Sequence, residues 1–144
     1  MLVVLDSGPL GLLCNARGGR LNEEVRAWAT SIEERGDDLV VPEIADYEVR
    51  RELVRAGLDR SRRSLDELAA TLHYEPLTTA QLRVAARLWA DARNSGRPTA
   101  HDHALDGDVI LAAQARHLGD DVVIATTNPA HLARYADARH WNDI

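Results

Sequence analysis

The sequence predicts an α/β fold, a three-layer α/β/α sandwich around a mostly parallel central sheet. Three observations lead there. Short continuous apolar runs, LVVL at residues 2–5 and VVIA at 122–125, have the length and composition of strands buried on both faces. Longer stretches between them carry apolar residues at helical spacing, such as Leu21, Val25, Trp28, Ala29 and Ile32. The two kinds of segment alternate along the chain, so successive strands are joined by helical crossovers and run parallel. At 144 residues, with no internal repeat and no linker, the chain is expected to be one domain over 1–144 with a substantial core.

The elements follow in order. Residues 2–5 form the first strand, stopped by Asp6, Ser7, Gly8 and Pro9. Pro9 suits the entry of a helix, with Asp6 or Ser7 as its cap. A glycine-containing loop at 15–20 precedes a helix over 21–34, and the turn Gly36-Asp37-Asp38 leads into a second strand at 39–41. Pro42 opens a helix that runs to about residue 56, with Ile44, Ala45, Val49, Leu53 and Val54 inward and Gly57 as its stop. Ser61 is read as the cap of a helix over 62–72, and 73–77 as a third strand or an extended link. Thr78 or Thr79 caps the longest helix, through residue 93, and a Gly/Pro loop at 94–99 follows. The last segments are a helix over 108–118 ended by Gly119, a strand at 121–127, and a short helix from Pro129 to about residue 135.

Hydrophobic content of 45% and charged content of 28% are those of a soluble globular protein. The single Cys14 excludes an internal disulfide and a Cys-rich zinc site, and fits a reducing compartment. The N-terminus is apolar but has Asp6 early and no basic stretch, so it does not read as a signal peptide. No apolar run is long enough to span a bilayer. The expectation is a cytoplasmic protein without membrane association. A net charge of −6 argues against a surface that is wholly a nucleic-acid clamp, yet Arg50, Arg51, Arg55, Arg60, Arg62 and Arg63 gather between positions 50 and 63. All 17 basic residues are arginine, the side chain that forks phosphate best, although a GC-rich coding sequence gives the same bias.

Four acidic residues, far apart in sequence, stand at the edges of apolar segments or on helices: Asp6, Glu48, Asp106 and Asp108. Each alone reads as a helix cap or a solvated helix residue. Together they place carboxylates at the rim of a parallel sheet, where active sites gather. Carboxylates that converge there need a cation, and hard divalent ions with oxygen ligands suit phosphate chemistry. Ser7 or Thr126 can orient a ligand from behind, and Arg50 and Arg51 can steer a phosphate backbone.

Four segments, VVLDSGPLGLL, PEIADYEVRREL, DVILAAQARHLG and VVIATTNPAHL, resemble the PIN-domain ribonucleases, and within them the VapC-type toxins, over nearly the whole chain. The resemblance implies a PIN-like fold and a metal-dependent endoribonuclease. Asp6, Glu48 and Asp108 take the family's acidic positions and would hold Mg²⁺ or Mn²⁺, with Asp106 sharing or supporting that role. Thr126 and Asn128 stand where the family places a further polar or acidic ligand, and Asn128 removes a negative charge there. The implied partners are an RNA substrate and a cognate antitoxin protein that blocks or distorts the acidic pocket. The implied assembly is a homodimer or a toxin–antitoxin hetero-oligomer, with the helices at 21–34 and 42–56 as surfaces.

The competing function is a PIN-like RNA-binding or assembly module that no longer cuts, which Asn128 favours. A phosphatase of another α/β fold ranks lower, because LDSGP lacks a second Asp two residues after Asp6. A zinc reading of His101 and His103, which flank Asp102, has no Cys partners. His131 is read as a substrate contact or a packing residue. Cys14, Trp28, Trp89 and Trp141 are read as core.

Overall fold

The alternation within β1 (Leu2–Leu5) sets the plan of the molecule: Val3 and Leu5 enter the core on one side of the sheet and Val4 the core on the other. All three are fully buried, as a central parallel strand requires. In this computed structural model, which describes residues 1–96 and 102–144 with the side chains of 102–104 excepted, β1 pairs in parallel on both flanks. Its partners are β2 (Asp38–Pro42), in the register Val3↔Leu39, and β4 (Val122–Thr126), in the register Val3↔Val123. Two three-residue strands, β3 (His73–Glu75) and β5 (Ala138–His140), complete a five-stranded, all-parallel sheet in the order β3-β2-β1-β4-β5.

Helices cover both faces. On the Val3/Leu5 face, α1 (Ser7–Cys14), α2 (Arg20–Glu34) and α4 (Asp59–Thr71) contribute Leu10, Leu13, Cys14, Val25, Trp28, Ile32 and Leu65. On the Val4 face, α6 (Asp102–His117) and α7 (Pro129–Leu132) contribute Leu111, Ala115 and Leu132. Helix α3 (Glu43–Arg55) sits at the seam, with Ile44 in one core and Ala45 and Val49 in the other. Helix α5 (Thr79–Asn94) packs outside α6, where Ala85 meets Leu105, Val109, Ala112 and Ala113. The result is the three-layer α/β/α sandwich expected from the alternation of segments. Among the described residues no helix is long and apolar enough to cross a membrane.

Several elements depart from the sequence reading. Helix α6 begins at Asp102, not at Asp108, because Leu105, Val109 and Ala112 continue its helical stripe onto α5. Helix α4 begins at Asp59 without a side-chain cap; the Ser61 hydroxyl instead accepts from the Ala16 amide at 3.0 Å. Thr78 is the cap of α5, in a reciprocal capping box with Gln81. Strand β5 has no counterpart in the sequence reading. Trp28 and Trp141 pack edge to face, 5.7 Å between centroids, whereas Trp89 is 38% exposed with the Arg93 guanidinium 4.9 Å above its ring. Cys14 is core, and burial pushes its thiol up to about 11. His101 and the side chains of Asp102 and His103 lie outside the described residues, as does the second half of the loop read at 94–99.

Candidate active site

The sheet order reverses beside β1. The chain moves outward through β2 and β3, then returns to place β4 on the other flank of β1. Connections diverge at such a point and leave a crevice beyond the carboxyl ends of the strands. The first residue past β1 is Asp6, whose amide donates to the Ala125 carbonyl at 3.0 Å. Both of its carboxylate oxygens are held: Oδ1 accepts from the Ser7 amide at 2.7 Å and Oδ2 from the Thr126 hydroxyl at 2.7 Å. Thr126 is the buried last residue of β4, and its Oγ1 accepts in turn from the Asn128 amide at 3.1 Å. Ser7 and Thr126 thus fix the Asp6 carboxylate by hydrogen bonds from two directions. Gly8 packs close beside it, since a Cβ there would sit 2.8 Å from Thr127 Oγ1 and 2.9 Å from its Cγ2.

Two helices bring further carboxylates to the same crevice. Helices of a parallel α/β sheet run against the strands, so their N-terminal halves lie at the carboxyl edge. Glu48 comes from α3 and Asp108 from the second turn of α6. Burial, and next the negative charge of Asp6, push the Asp108 carboxyl up to about 6, with His131 acting in the opposite direction. Burial, then Asp6 and, more weakly, Asp108, also raise Glu48; Arg51 opposes them, its Nη2 4.0 Å from Glu48 Oε2. The Arg51 guanidinium rests 5.3 Å from the centroid of the Tyr47 ring, on the rim.

Asp6, Glu48 and Asp108 therefore stand in one another's field, and among the described residues no neutralising partner lies at hydrogen-bond distance from Glu48. Among the described residues no three acidic, His or Cys side chains are gathered tightly enough to enclose a metal unaided. The donor chemistry, hard oxygens under mutual repulsion, fits Mg²⁺ or Mn²⁺, ions that keep several waters and draw few protein ligands.

The remaining sequence-predicted residues divide. Asp106 points elsewhere: it is exposed and lines a groove of about 280 Å³ with Leu82, Ala85, Trp89, Val109 and Ile110 between α5 and α6. Arg50 is tied to Asp46 at 2.8 Å and Asp66 at 2.6 Å, on the side of α3 away from Glu48, and so is not poised to meet a substrate. Asn128 is exposed, beside the clamp, with its amide engaged and no side-chain cap on α7.

The sequence reading missed three residues that shape the site, Gly8, Gly107 and Gln114. Gln114 is fully buried; its Oε1 accepts from the Ile44 amide at 3.2 Å and its Nε2 donates to the Glu75 carbonyl at 2.8 Å. One side chain of α6 thereby satisfies a free N–H at the start of α3, where Pro42 offers no cap, and ties together the helices that carry Asp108 and Glu48. Its signal was a lone amide within the apolar run VILAAQA.

An all-parallel α/β sheet with carboxylates in one another's field beyond its switch point defines a class, the α/β domains with an acidic crevice. The sequence matches the model of the PIN domain over residues 3–138, and the chain belongs to that family. No curated protein matches it. Among solved structures it is similar to VapBC2 from Rickettsia felis bound to a DNA fragment from its promoter, with a TM-score of 0.72 at 12% identity, over 98% of this chain and 99% of that one. DNA-bound VapBC from Salmonella typhimurium gives a TM-score of 0.70 at 15% identity, over 98% and 99%. FitAcB from Neisseria gonorrhoeae gives 0.66 at 18%, over 99% of each chain. At these identities the likeness establishes the fold.

Proposed function

We propose that this PIN domain is a divalent-metal-dependent endoribonuclease and the toxin of a VapC-type toxin–antitoxin pair, acting in the cytoplasm as a single domain. The observation that carries the reading is the convergence of Asp6, Glu48 and Asp108 in one crevice, with Glu48 and Asp108 both raised by burial and by neighbouring negative charge. These three would hold Mg²⁺ or Mn²⁺. When bound, such an ion supplies Lewis acidity at a phosphodiester and a water made nucleophilic near neutral pH. Thr126 and Ser7 keep the Asp6 oxygens aimed by donating hydrogen bonds to them. Arg51, on the rim beside Glu48, meets the phosphate backbone of the RNA.

The solved structures that resemble this chain include VapBC assemblies, which supports an antitoxin as partner. Of the two helices read as association surfaces, α2 turns Val25, Trp28 and Ile32 inward, while α3 leaves Tyr47 and Val54 exposed. A homodimer or a toxin–antitoxin hetero-oligomer would cover the α3 residues and the exposed Leu82 and Trp89 of α5.

A second reading, a PIN-like RNA-binding or assembly module that no longer cuts, is favoured by one observation: an exposed amide, Asn128, occupies a corner where a further carboxylate would strengthen metal binding. Incubation of the purified protein with RNA and Mg²⁺ or Mn²⁺ separates the two. Cleavage that disappears in Asp6→Asn, Glu48→Gln and Asp108→Asn is the expected result. Intact RNA, together with no heat of Mn²⁺ binding in calorimetry, would favour the module.

A further inference from the structure

We propose that Gly107 is a positioning residue, whose missing side chain is the seat of the Glu48 carboxylate in the acidic crevice. The inference rests on the proposed metal-dependent cleavage and names a residue that sets its geometry.

Of the protein's 9 glycines, Gly18, Gly19, Gly36, Gly57, Gly96 and Gly119 have positive φ, so backbone conformation accounts for them. Gly8, Gly11 and Gly107 lie in ordinary helical backbone, where alanine is the better residue. Gly11 has room for a methyl group, with Val49 Cγ2 at 3.9 Å, and a Cβ at Gly8 would press on the Thr127 side chain. Gly107 is different in kind. Among the described residues, and apart from its chain neighbours and the backbone of its own helix, the three heavy atoms nearest to a Cβ built there all belong to the Glu48 carboxylate: Oε1 at 3.1 Å, Cδ at 3.4 Å and Oε2 at 3.4 Å.

The carboxylate of α3 therefore lies flat against the α6 backbone, one residue before Asp108. Beyond its own helix and among the described residues, a methyl group at 107 would meet first the free end of a flexible side chain. Its effect falls on the carboxylate, while the helix itself gains from losing a glycine. Glu48 has little room to retreat without loss, because the crevice half buries it and Arg51 stands at its other oxygen. A helical glycine between two aspartates thus exchanges local helix stability for the placement of a carboxylate on a neighbouring helix.

The test compares wild type, Gly107→Ala, Glu48→Asp and the double variant. Gly107→Ala is expected to melt no lower than wild type and to displace the Glu48 carboxylate in metal-free crystals. It should weaken Mn²⁺ binding, read by electron paramagnetic resonance, about tenfold, as the loss of an orienting neighbour does. In the Glu48→Asp background, whose shorter side chain does not reach residue 107, the same substitution should change Mn²⁺ affinity by less than about twofold. Should Gly107→Ala fail to fold, the double variant is expected to fold, and its failure would count against the inference. An unmoved carboxylate, or an equal loss in both backgrounds, overturns it. A wild type that binds no Mn²⁺ defeats the proposed nuclease instead, and the metal-free crystals still decide the role of Gly107.

Discussion

Asp46 and Glu48 stand two residues apart on α3, and their surroundings are opposite. Asp46 is only 7% exposed, yet each of its oxygens is matched: Oδ1 by the Arg50 guanidinium at 2.8 Å and Oδ2 by the Tyr74 hydroxyl at 2.8 Å. Arg50 reaches on to Asp66, so the knot binds α3 to α4 and to β3. Hydrogen bonding to Asp46 raises the Arg50 guanidinium, while burial and then the Asp46 hydrogen bond raise the Tyr74 hydroxyl. Glu48 is half-buried, with the Arg51 cation at 4.0 Å and, among the described residues, the anions Asp6 and Asp108 facing it. One helix thus carries a carboxylate whose charge is spent inside the fold and another whose charge is left for something from outside. Pairing marks structure, and unrelieved like charge marks a candidate site.

The largest effect that separates the two regions should come from the crevice. Asp108→Asn or Glu48→Gln is expected to lower RNA cleavage by more than about a hundredfold, beyond the upper end of what losing an orienting partner costs. The same variants should leave the metal-free protein as stable as wild type or more so, since each removes a repelling charge. Urea denaturation beside a cleavage assay reads both, and a destabilised Asp108→Asn would refute the contrast. Next in size is the knot. Asp46→Ala should lose about 2–3 kcal/mol, below the full cost of breaking a buried pair because Arg50 stays partly solvated. The urea midpoint checks this, and an unchanged midpoint would reduce the knot to a surface pair.

A pH series sharpens the comparison further. The Asp108 carboxyl is raised to about 6 in the folded chain, against about 3.9 when unfolded. Between those values the folded state binds more protons than the unfolded one, so metal-free stability falls as pH rises from about 4 to about 6. After discounting for solvent screening Asp108's share of the decline is about 1–2 kcal/mol, and Asp108→Asn should remove that share. Mn²⁺ binding should weaken in the opposite sense, as pH drops below about 6, since a protonated carboxyl is a poor ligand. The smallest effect belongs to Asp106→Asn, with cleavage and Mn²⁺ affinity within about twofold of wild type, as for a surface substitution away from the site. A loss as large as that of Asp108→Asn would return Asp106 to the crevice.

The strongly periodic parts of the chain were legible without coordinates. LVVL, DVVIATT and the stripe Val25, Trp28, Ile32 each announce their state, because alternation and helical spacing are local properties of consecutive residues. The same local logic placed Asp6 at the end of a strand and Glu48 on a helix. Strand β5 was not legible, since Ala138–His140 has no apolar run and becomes a strand only by pairing with the edge of β4. Nor was the start of α6 legible: Asp108 reads as the helix start until Leu105 and Val109 are seen packed on α5.

The sequence by itself determined the alternation of strands and helices, and with it a parallel sheet and a supply of carboxylates at its rim. Tertiary structure alone decided which carboxylates meet. Asp106 and Asp108 differ by two helical positions and Arg50 and Arg51 by one, about 200° and 100° of rotation, and the packing of α6 on α5 and of α3 on α4 selects the member that faces the crevice. That Asp6, Glu48 and Asp108 share one field follows from the sheet order, which sets β1 between β2 and β4 and so joins positions more than 100 residues apart in the chain.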